Sequence, residues 1–541
     1  MSPGLMSAGL GSVPAEQTYL DITQGNRVFG SLYDSELRRG RVPLNRPVED
    51  GAILRRAESA PADVVPGLLA TTLAGAREGF SVRGVAPAQL PGLVDGLRGD
   101  DLLIAIERPP PAKNGALAIG IAGRGFKGNL TSDSTRLDGY VLSTDVAPTI
   151  LDRYGIAVPS QMSGQPIRAE GEVDAAAVTA LGERMAVISE RRGPAIGLSL
   201  LAWVLALGLA VAITRGAAAR GGVRMVGLAV VYLPLVLLAA AAAEPGETAE
   251  TLLAMLGAPA LAAATLALLG GYRALAVASG LTVLAYAVDV VAGSPLTALS
   301  LLGPNPGLGV RFYGIGNELE ALLAVLVVAG TGAGLSGFGG RLSPRGGAVA
   351  FLAVGLIAAF VFAAGRFGAD VGAAIVFPVG AAVAAAVLAA RRRRSVLAIV
   401  TLPFAVLALL ALADLVSGAN AHLTRSVLDA GGLGDLGDVA QRRLQLSARS
   451  FSRPIVFVFL PLILALVALA VVRRDRLRAW LSGFPAMRAG LIGAAVATAV
   501  GTLANDSGAL LLEIGAAYLL VFTGFAWAEK APARARAEVT R

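Results

Sequence analysis

Three short motifs in the second half of the chain combine acidic, amide and arginine side chains with glycine. They are Arg311-Phe-Tyr-Gly-Ile-Gly-Asn-Glu-Leu-Glu320, Gly365-Arg-Phe-Gly-Ala-Asp-Val-Gly372 and Ala504-Asn-Asp-Ser-Gly508. A carboxylate can accept the proton of a reacting hydroxyl group, and arginine binds phosphate through two parallel hydrogen bonds. Glycine allows the backbone to approach a ligand closely. These residue types together indicate a site for an anionic, phosphate-bearing substrate.

The candidate residues divide by chemistry into two groups. The candidate catalytic residues are Glu318, Asp370 and His422, because each can accept a proton. The candidate substrate-binding residues are Arg311, Asn317, Arg366, Arg425, Arg442, Asn505 and Asp506. Helix capping is the competing explanation for Glu318 and Asp370, since a carboxylate suits the positive end of a helix dipole.

The loop 417–453 is the longest one between predicted spans, and it carries His422 and five arginines. Residues 438–450 are predicted to form an amphipathic helix at the membrane surface. Its arginines have two competing roles, which are contact with lipid headgroups and the binding of a pyrophosphate.

The composition excludes several chemistries. The chain has no cysteine and one histidine, so disulfides, thiolate catalysis and any mechanism that needs two histidines are excluded. Gly314-Ile-Gly316 is too short for a dinucleotide-binding motif. The sequence therefore predicts no metal and no cofactor, and it defines no oligomeric state.

Hydrophobic runs of membrane-spanning length position the three motifs. Hydrophobic residues make up 55% of the 541 residues and charged residues 16%, against about a quarter in soluble proteins. The excess follows residue 194, in runs of about twenty residues, which cross a bilayer as helix. We predict an α-helical polytopic membrane bundle over 195–528 with about eleven spans. They are 195–214, 224–243, 250–269, 273–293, 316–335, 346–364, 369–390, 395–416, 454–472, 488–505 and 508–528.

Loop charge predicts the orientation of these spans. Arginines cluster in alternate loops, for example Arg391 to Arg394, and the positive-inside rule places those loops in the cytoplasm. The tail 529–541 is then cytoplasmic, and all the candidate residues lie on the outer face of the plasma (inner) membrane. The net charge of +8 is explained by these loops. The expected partners are therefore membrane lipids, with no nucleic acid.

Residues 1–190 are predicted to form a soluble α/β domain, called the head below. Short apolar runs at 101–106 and 116–121 are typical of buried strands, and 173–190 is predicted to be a helix that leads into the membrane. An external head needs an export signal, and Met1-Ser-Pro-Gly-Leu-Met-Ser-Ala has neither a basic start nor an apolar core. Either the orientation is the reverse of the one predicted, or a signal-anchor helix is missing before this start; we expect the second, which would make twelve spans.

The stretch Thr144-Asp-Val-Ala-Pro-Thr-Ile-Leu, followed by Gly155, Pro159 and Met162-Ser-Gly164, resembles the C-terminal signature of the alkaline phosphatase/sulfatase superfamily. The resemblance implies the alkaline phosphatase fold, two metals held by Asp and His, and a hydroxyl or formylglycine nucleophile. The head contains no histidine, so it is predicted to be a degenerate member that binds or scaffolds.

Two local predictions follow from this stretch of the head. Thr144 or Asp145 is expected to cap the following helix, and Pro148 to lie in its first turn. The polar run Ser132, Ser134, Thr135 and Arg136 is expected to be either a solvated loop or a relic phosphate contact.

Three functions compete for this architecture. The first is a transferase that processes a lipid-linked or phosphate-bearing glycan of the bacterial cell envelope, by architectural analogy with O-antigen ligases. The second is a transporter or flippase of an anionic envelope precursor, although the spans carry few charges towards the cytoplasm. The third is a non-catalytic scaffold. The three motifs also resemble those of uncharacterised bacterial membrane proteins that carry such a head, which leaves the question of enzyme activity open.

Overall fold

The computed structural model describes residues 1–37, 40, 42–110, 115–213, 216–340, 342–390, 393–416 and 444–529. The chain divides into two compact units. The first unit joins Met1–Ser189 to the distant segment Pro304–Tyr313, and the second contains Glu190–Gly303 and Gly314–Arg541. The predicted head boundary at residue 190 lies beside this division. The segment 304–313 was instead assigned to the membrane part, and the structure includes it in the first unit.

The first unit contains a mixed four-stranded sheet and a separate strand pair. Strand β1 is antiparallel to β3 and parallel to β5, and the sheet order is β2-β3-β1-β5, while β4 pairs with β6. The strands predicted at 101–106 and 116–121 are confirmed as β2 and β3. The strands are β1 (Ser2–Ser7), β2 (Leu102–Ile106), β3 (Ala116–Gly123), β4 (Asn129–Ser132), β5 (Tyr140–Leu142) and β6 (Ile167–Glu170).

Alternating apolar residues form the core of this unit. Leu117, Ile119 and Ile121 of β3 are buried, as expected for side chains that alternate between the faces of a strand. Met6 of β1 and Val141 of β5 join them in the same core. The helices of the unit are α1 (Ala15–Gln24), α2 (Gly51–Glu58), α3 (Leu68–Gly75), α4 (Leu90–Asp95) and α5 (Val146–Arg153). Helices α1, α3 and α5 contribute residues to this core.

The second unit consists of long apolar helices. The first of them, α6, begins within the head and is continuous over the region that was predicted as a helix leading into the membrane. The helices are α6 (Ala175–Ile213), α7 (Ala217–Ala243), α8 (Glu247–Leu252), α9 (Ala258–Leu268), α10 (Gly271–Val291), α11 (Pro295–Leu299), α12 (Asn317–Gly337), α13 (Pro344–Ala363), α14 (Ala373–Ala389), α15 (Arg393–Val416), α16 (Val456–Val472), α17 (Arg474–Trp480), α18 (Pro485–Ala504) and α19 (Gly508–Glu529).

These helices make the chain a polytopic helical membrane protein. Among the described residues, 8 helices are long and apolar enough to cross a membrane, with α8 and α9 counted as one, or 9 if the pair α16 and α17, bent by 74°, is a broken span. The predicted spans 369–390 and 395–416 correspond to shorter apolar helices, Ala373–Ala389 and Ile399–Leu412. A helix of 17 residues is about 26 Å long, a little less than a bilayer core of about 30 Å. The prediction of eleven spans therefore exceeds the structural count.

Small residues allow the helices of the second unit to pack closely. A Cβ atom on Gly490 of α18 would lie 3.1 Å from the Val328 carbonyl oxygen of α12 and 3.2 Å from Gly332 Cα. A Cβ atom on Gly380 of α14 would lie 2.9 Å from Ala497 Cβ of α18. Glycine and alanine at such contacts are typical of helix interfaces in lipid. Among the candidate membrane spans of the described chain, α12 is the most buried.

Candidate functional site

Polar residues from distant parts of the second unit meet at the start of α12. The side-chain amide of Asn505 donates to Glu320 Oε2 at 2.5 Å, and that of Asn317 donates to Asp506 Oδ1 at 3.0 Å. The partners are 185 and 189 residues apart in the sequence. Asn505 and Asp506 lie in the turn between α18 and α19. The structure therefore brings two of the three sequence motifs together.

The third motif also contributes to this group. A Cβ atom on Gly372 would lie 2.6 Å from both carboxylate oxygens of Glu320 and 2.7 Å from Asn505 Nδ2, so a larger residue there would displace these side chains. Asp370 Oδ1 accepts a hydrogen bond from the Gly372 N–H at 2.9 Å, just before α14. Asp370 is 3% exposed and Glu320 is fully buried. This hydrogen bond closes a turn before α14, whose cap residue is Gly372 and has no side-chain cap, so helix capping does not account for Asp370.

The accessible part of the group is an ion pair between Glu318 and Arg192. Arg192 Nη1 lies 3.5 Å from Glu318 Oε1, and the two side chains are 29% and 30% exposed. Arg192 Nη2 also donates to the Gly303 carbonyl oxygen at 2.5 Å, which anchors the arginine. We call Arg192, Asn317, Glu318, Glu320, Asp370, Asn505 and Asp506 the polar cluster. It has a buried half around Glu320 and an accessible half around Glu318.

Sequence reasoning missed Arg192 as a candidate residue. The chain reads Glu190-Arg-Arg192 directly before the first predicted span. The positive-inside rule does not explain arginines at the predicted outer end of a span. Arginines at this unexpected position were the feature of the sequence that could have identified Arg192 as a candidate. The neighbouring Arg191 has a structural role, because its Nη1 lies 3.2 Å from the fully buried carboxylate of Glu250.

The remaining predicted residues lie in the turn between α13 and α14, in the first unit, or outside the described part of the chain. Arg366 is exposed in the turn between α13 and α14, and Arg311 belongs to the segment 304–313 of the first unit. His422, Arg425 and Arg442 lie outside the described residues, as does most of the tail 529–541.

The last part of the predicted helix 438–450 lies within the described chain. Residues 444–450 are helical. The Ser447 hydroxyl donates to the Thr502 carbonyl oxygen at 2.7 Å, and the Ala509 N–H donates to Ser450 Oγ at 2.9 Å. This short helix is thus attached to the turn that carries Asn505 and Asp506.

Asp145 organises the signature region of the head, but it does not cap α5. Its carboxylate accepts hydrogen bonds from the hydroxyls of Ser132 and Ser134, both at 2.6 Å. It also accepts the N–H groups of Leu142 and Gln165, both at 2.9 Å. The predicted cap is therefore wrong for Asp145, because its carboxylate oxygens accept these four hydrogen bonds and none from the first turn of α5. Burial raises the pKa of Asp145, and these four hydrogen bonds oppose that rise.

The same contacts bear on both interpretations of the polar run. Ser132 is buried and Ser134 is partly buried, and both donate to Asp145. The Thr135 hydroxyl donates to the Tyr140 carbonyl oxygen at 2.5 Å. These three hydroxyls are held by protein groups, whereas Arg136 of the same run is exposed. Pro148 lies in the first turn of α5, as predicted.

The glycine that ends the signature has a steric explanation. A Cβ atom on Gly164 would overlap the carbonyl group of Thr144. Met162 packs in the same way against Gly25, at the end of α1. The signature therefore encodes a close contact between the strand-to-helix turn and the chain that returns past it.

A second buried polar group in the head was not predicted. Asp21 of α1 accepts a hydrogen bond from the Gln17 side chain at 2.8 Å and is 1% exposed. Burial raises the pKa of Asp21 to about 8, although Gln17, Arg27 and Arg56 act in the opposite direction. Burial lowers the pKa of Arg27. Nothing in the spacing of these residues signalled their meeting.

Within the described part of the chain, no group of three or more His, Cys, Asp or Glu side chains has the geometry of a metal site. The fold and the polar cluster define the class, which is a polytopic helical membrane protein with an α/β unit at its N-terminal side. Comparison of the chain with protein-family models, with curated proteins and with solved structures finds no match.

Proposed function

We propose that this protein is a transferase of the bacterial cell envelope that processes a lipid-linked, phosphate-bearing glycan at the outer face of the plasma membrane. The observation that carries the proposal is the pair Glu318 and Arg192. A proton acceptor and a phosphate-binding group lie 3.5 Å apart, and each is partly exposed. Arg192 is also held by its hydrogen bond to the Gly303 carbonyl oxygen, and Glu318 lies in the first turn of α12.

The chemistry assigned to this pair is a balanced glycosyl transfer. An acceptor hydroxyl oxygen attacks the anomeric carbon of the lipid-linked sugar, and the bond from that carbon to the diphosphate oxygen breaks. Glu318 takes the hydroxyl proton, and Arg192 stabilises the negative charge that remains on the lipid diphosphate. Asn317 and Asp506 offer hydrogen bonds to sugar hydroxyls. Arg366, Arg311, Arg425 and Arg442 remain proposed contacts for the anionic part of the substrate.

The head has a binding or scaffolding role in this proposal. Residues 1–190 contain no histidine, so the metal-dependent chemistry implied by the superfamily resemblance lacks its usual ligands here. The buried hydroxyls around Asp145 support a structural use of the signature region.

The test is glycan transfer by the purified full-length protein in lipid nanodiscs. A polyprenyl-diphosphate oligosaccharide is the donor, and released polyprenyl diphosphate is measured. We expect Glu318→Gln to lose about 100-fold or more in rate, which is typical for the loss of a general base. Glu247→Gln is the matched control, because Glu247 is an exposed glutamate at the start of α8. Equal rates for the two variants would rule out Glu318 as the base.

A second candidate function, transport of an anionic precursor, is favoured by one observation. Glu320 is a fully buried carboxyl group inside a predicted membrane-spanning helix, where ionisable residues are costly and usually functional. Charged groups are also present at the end of α19 that lies away from the polar cluster, where Arg224 and Glu529 form an ion pair at 2.5 Å. Proton-driven uptake into liposomes that depends on Glu320 and persists in Glu318→Gln would favour transport over transfer.

A further inference from the structure

The segment 304–313 lies between α11 and α12 in the sequence, yet it is part of the first unit. Three head residues donate hydrogen bonds to its backbone carbonyl groups. The Gly11 N–H donates to Leu308 O at 2.8 Å, and Arg27 Nη1 donates to Gly309 O at 2.7 Å. The Tyr140 hydroxyl donates to Pro306 O at 3.2 Å. The head thus binds the main chain of this segment.

Aromatic side chains extend the contact at the end of the segment. The Arg27 guanidinium lies 5.2 Å from the centroid of the Phe312 ring, and the rings of Tyr140 and Phe312 are 5.9 Å apart. The Arg136 guanidinium lies 4.3 Å from the centroid of the Tyr313 ring. These are distances at which a cation is attracted by the face of an aromatic ring.

Only glycine fits at the centre of the segment. Gly309 has φ +68°, a left-handed conformation that favours glycine, and a Cβ atom there would overlap the Gly9 carbonyl oxygen and lie 2.7 Å from Ser7 Oγ. Ser7 is fully buried at the end of β1. The segment therefore presses directly on the loop that leaves this strand.

The place where the segment binds is the usual ligand position of an α/β domain. β1 and β5 are parallel, and Ser7 is paired with Leu142 where both strands end. Ligands of α/β sheets bind outside the carboxyl ends of parallel strands, where the following loops diverge. Here residues 306–312 occupy that place in contact with Gly9, Gly11 and Arg27.

We propose that the head is an internal receptor for residues 304–313, and that its sheet edge recognises a glycine- and proline-rich segment of its own chain. Arg27 and Tyr140 donate hydrogen bonds to carbonyl groups of the segment, and Gly309 allows its backbone to approach Ser7 and Gly9 closely. The bound segment ends at Tyr313, four residues before Asn317 in the sequence. This inference does not depend on the proposed transferase activity.

The test is hydrogen–deuterium exchange of the full-length protein in nanodiscs, followed at the amides of 305–313. We expect Arg27→Gln to raise exchange about tenfold or more, the change expected for the loss of one hydrogen bond from a charged donor. Arg56→Gln is the matched control, because Arg56 is another head arginine stacked on an aromatic ring, Tyr33, and contacts other residues of the head.

A second pair of variants tests the segment itself, so that loss of head folding cannot imitate the result. Gly309→Ala is expected to raise exchange in the same amides. Gly155→Ala is the control, since Gly155 has φ +67° but nothing within 4 Å of a Cβ atom. Exchange in β3 reports whether the head remains folded. If Arg27→Gln and Gly309→Ala leave exchange at 305–313 equal to their controls, the head does not hold the segment.

Discussion

Replacing Asn505 by alanine removes the hydrogen bond that ties the turn between α18 and α19 to Glu320. The donor and acceptor atoms are 2.5 Å apart, Asn505 is 6% exposed and Glu320 is fully buried. Losing a buried hydrogen bond to a carboxyl group costs about 1–3 kcal/mol, because water cannot replace the lost partner. We therefore expect a loss of about 2 kcal/mol, or about 30-fold in the folding equilibrium.

Asn317→Ala is the matched control for this variant. It removes the same amide group, which donates to Asp506 at 3.0 Å, but this hydrogen bond is exposed to solvent. Water can replace an exposed partner, so the expected loss is within about 0.5 kcal/mol. The buried and exposed halves of the polar cluster are thus compared by one chemical change.

The assay is thermal unfolding of the full-length protein in one detergent at one heating rate, since irreversible unfolding makes the melting temperature depend on that rate. Asn505→Ala should melt clearly below the wild type, and Asn317→Ala close to it. A double-mutant cycle of Asn505→Ala with Glu320→Gln should give a non-zero coupling energy. Equal melting temperatures for the two alanine variants, or zero coupling, would refute the role assigned to the buried pair.

Two further predictions concern the head and the orientation. Folding raises the pKa of Asp21 to about 8, above the unfolded value of about 4, so the stability contributed by its protonated form is present at low pH and lost as pH rises towards 8. The melting temperature of Asp21→Asn should therefore rise relative to that of the wild type as the pH increases from about 5 to 8. The exposed Asp34→Asn is the control, and parallel plots of melting temperature against pH for Asp21→Asn and the wild type would contradict this prediction. The chain has no cysteine, so single cysteines at the exposed Ala118, Glu247 and Arg478 can be labelled cleanly with an impermeant reagent. The predicted orientation requires that cysteines at 118 and 247 are labelled from outside and that the cysteine at 478 is labelled from inside only. Labelling at position 118 from inside would reverse the orientation and place the proposed substrate in the cytoplasm.

The sequence alone was sufficient for features that depend on local pattern. Runs of about twenty apolar residues predicted the membrane helices, because the thickness of the bilayer sets their length. Alternating apolar residues predicted β2 and β3, because side chains alternate between the faces of a strand. The three motifs also contained most of the polar residues that meet at the start of α12, since ionisable groups in such helices are rarely incidental.

Only the tertiary structure decided which of these residues act together. Arg192 and Glu318 are 126 residues apart, and Asn505 and Glu320 are 185 apart, so no local spacing relates them. Gly372 lies against the Glu320 and Asn505 side chains, so helix packing brings this second pair together. In the head, likewise, only the structure showed that the Asp145 carboxylate accepts hydrogen bonds from Ser132 and Ser134 and does not cap α5. The motif 311–320 was interpreted as one site, yet its first three residues belong to the first unit, because the donors that bind the segment 304–313 are head residues far away in the sequence.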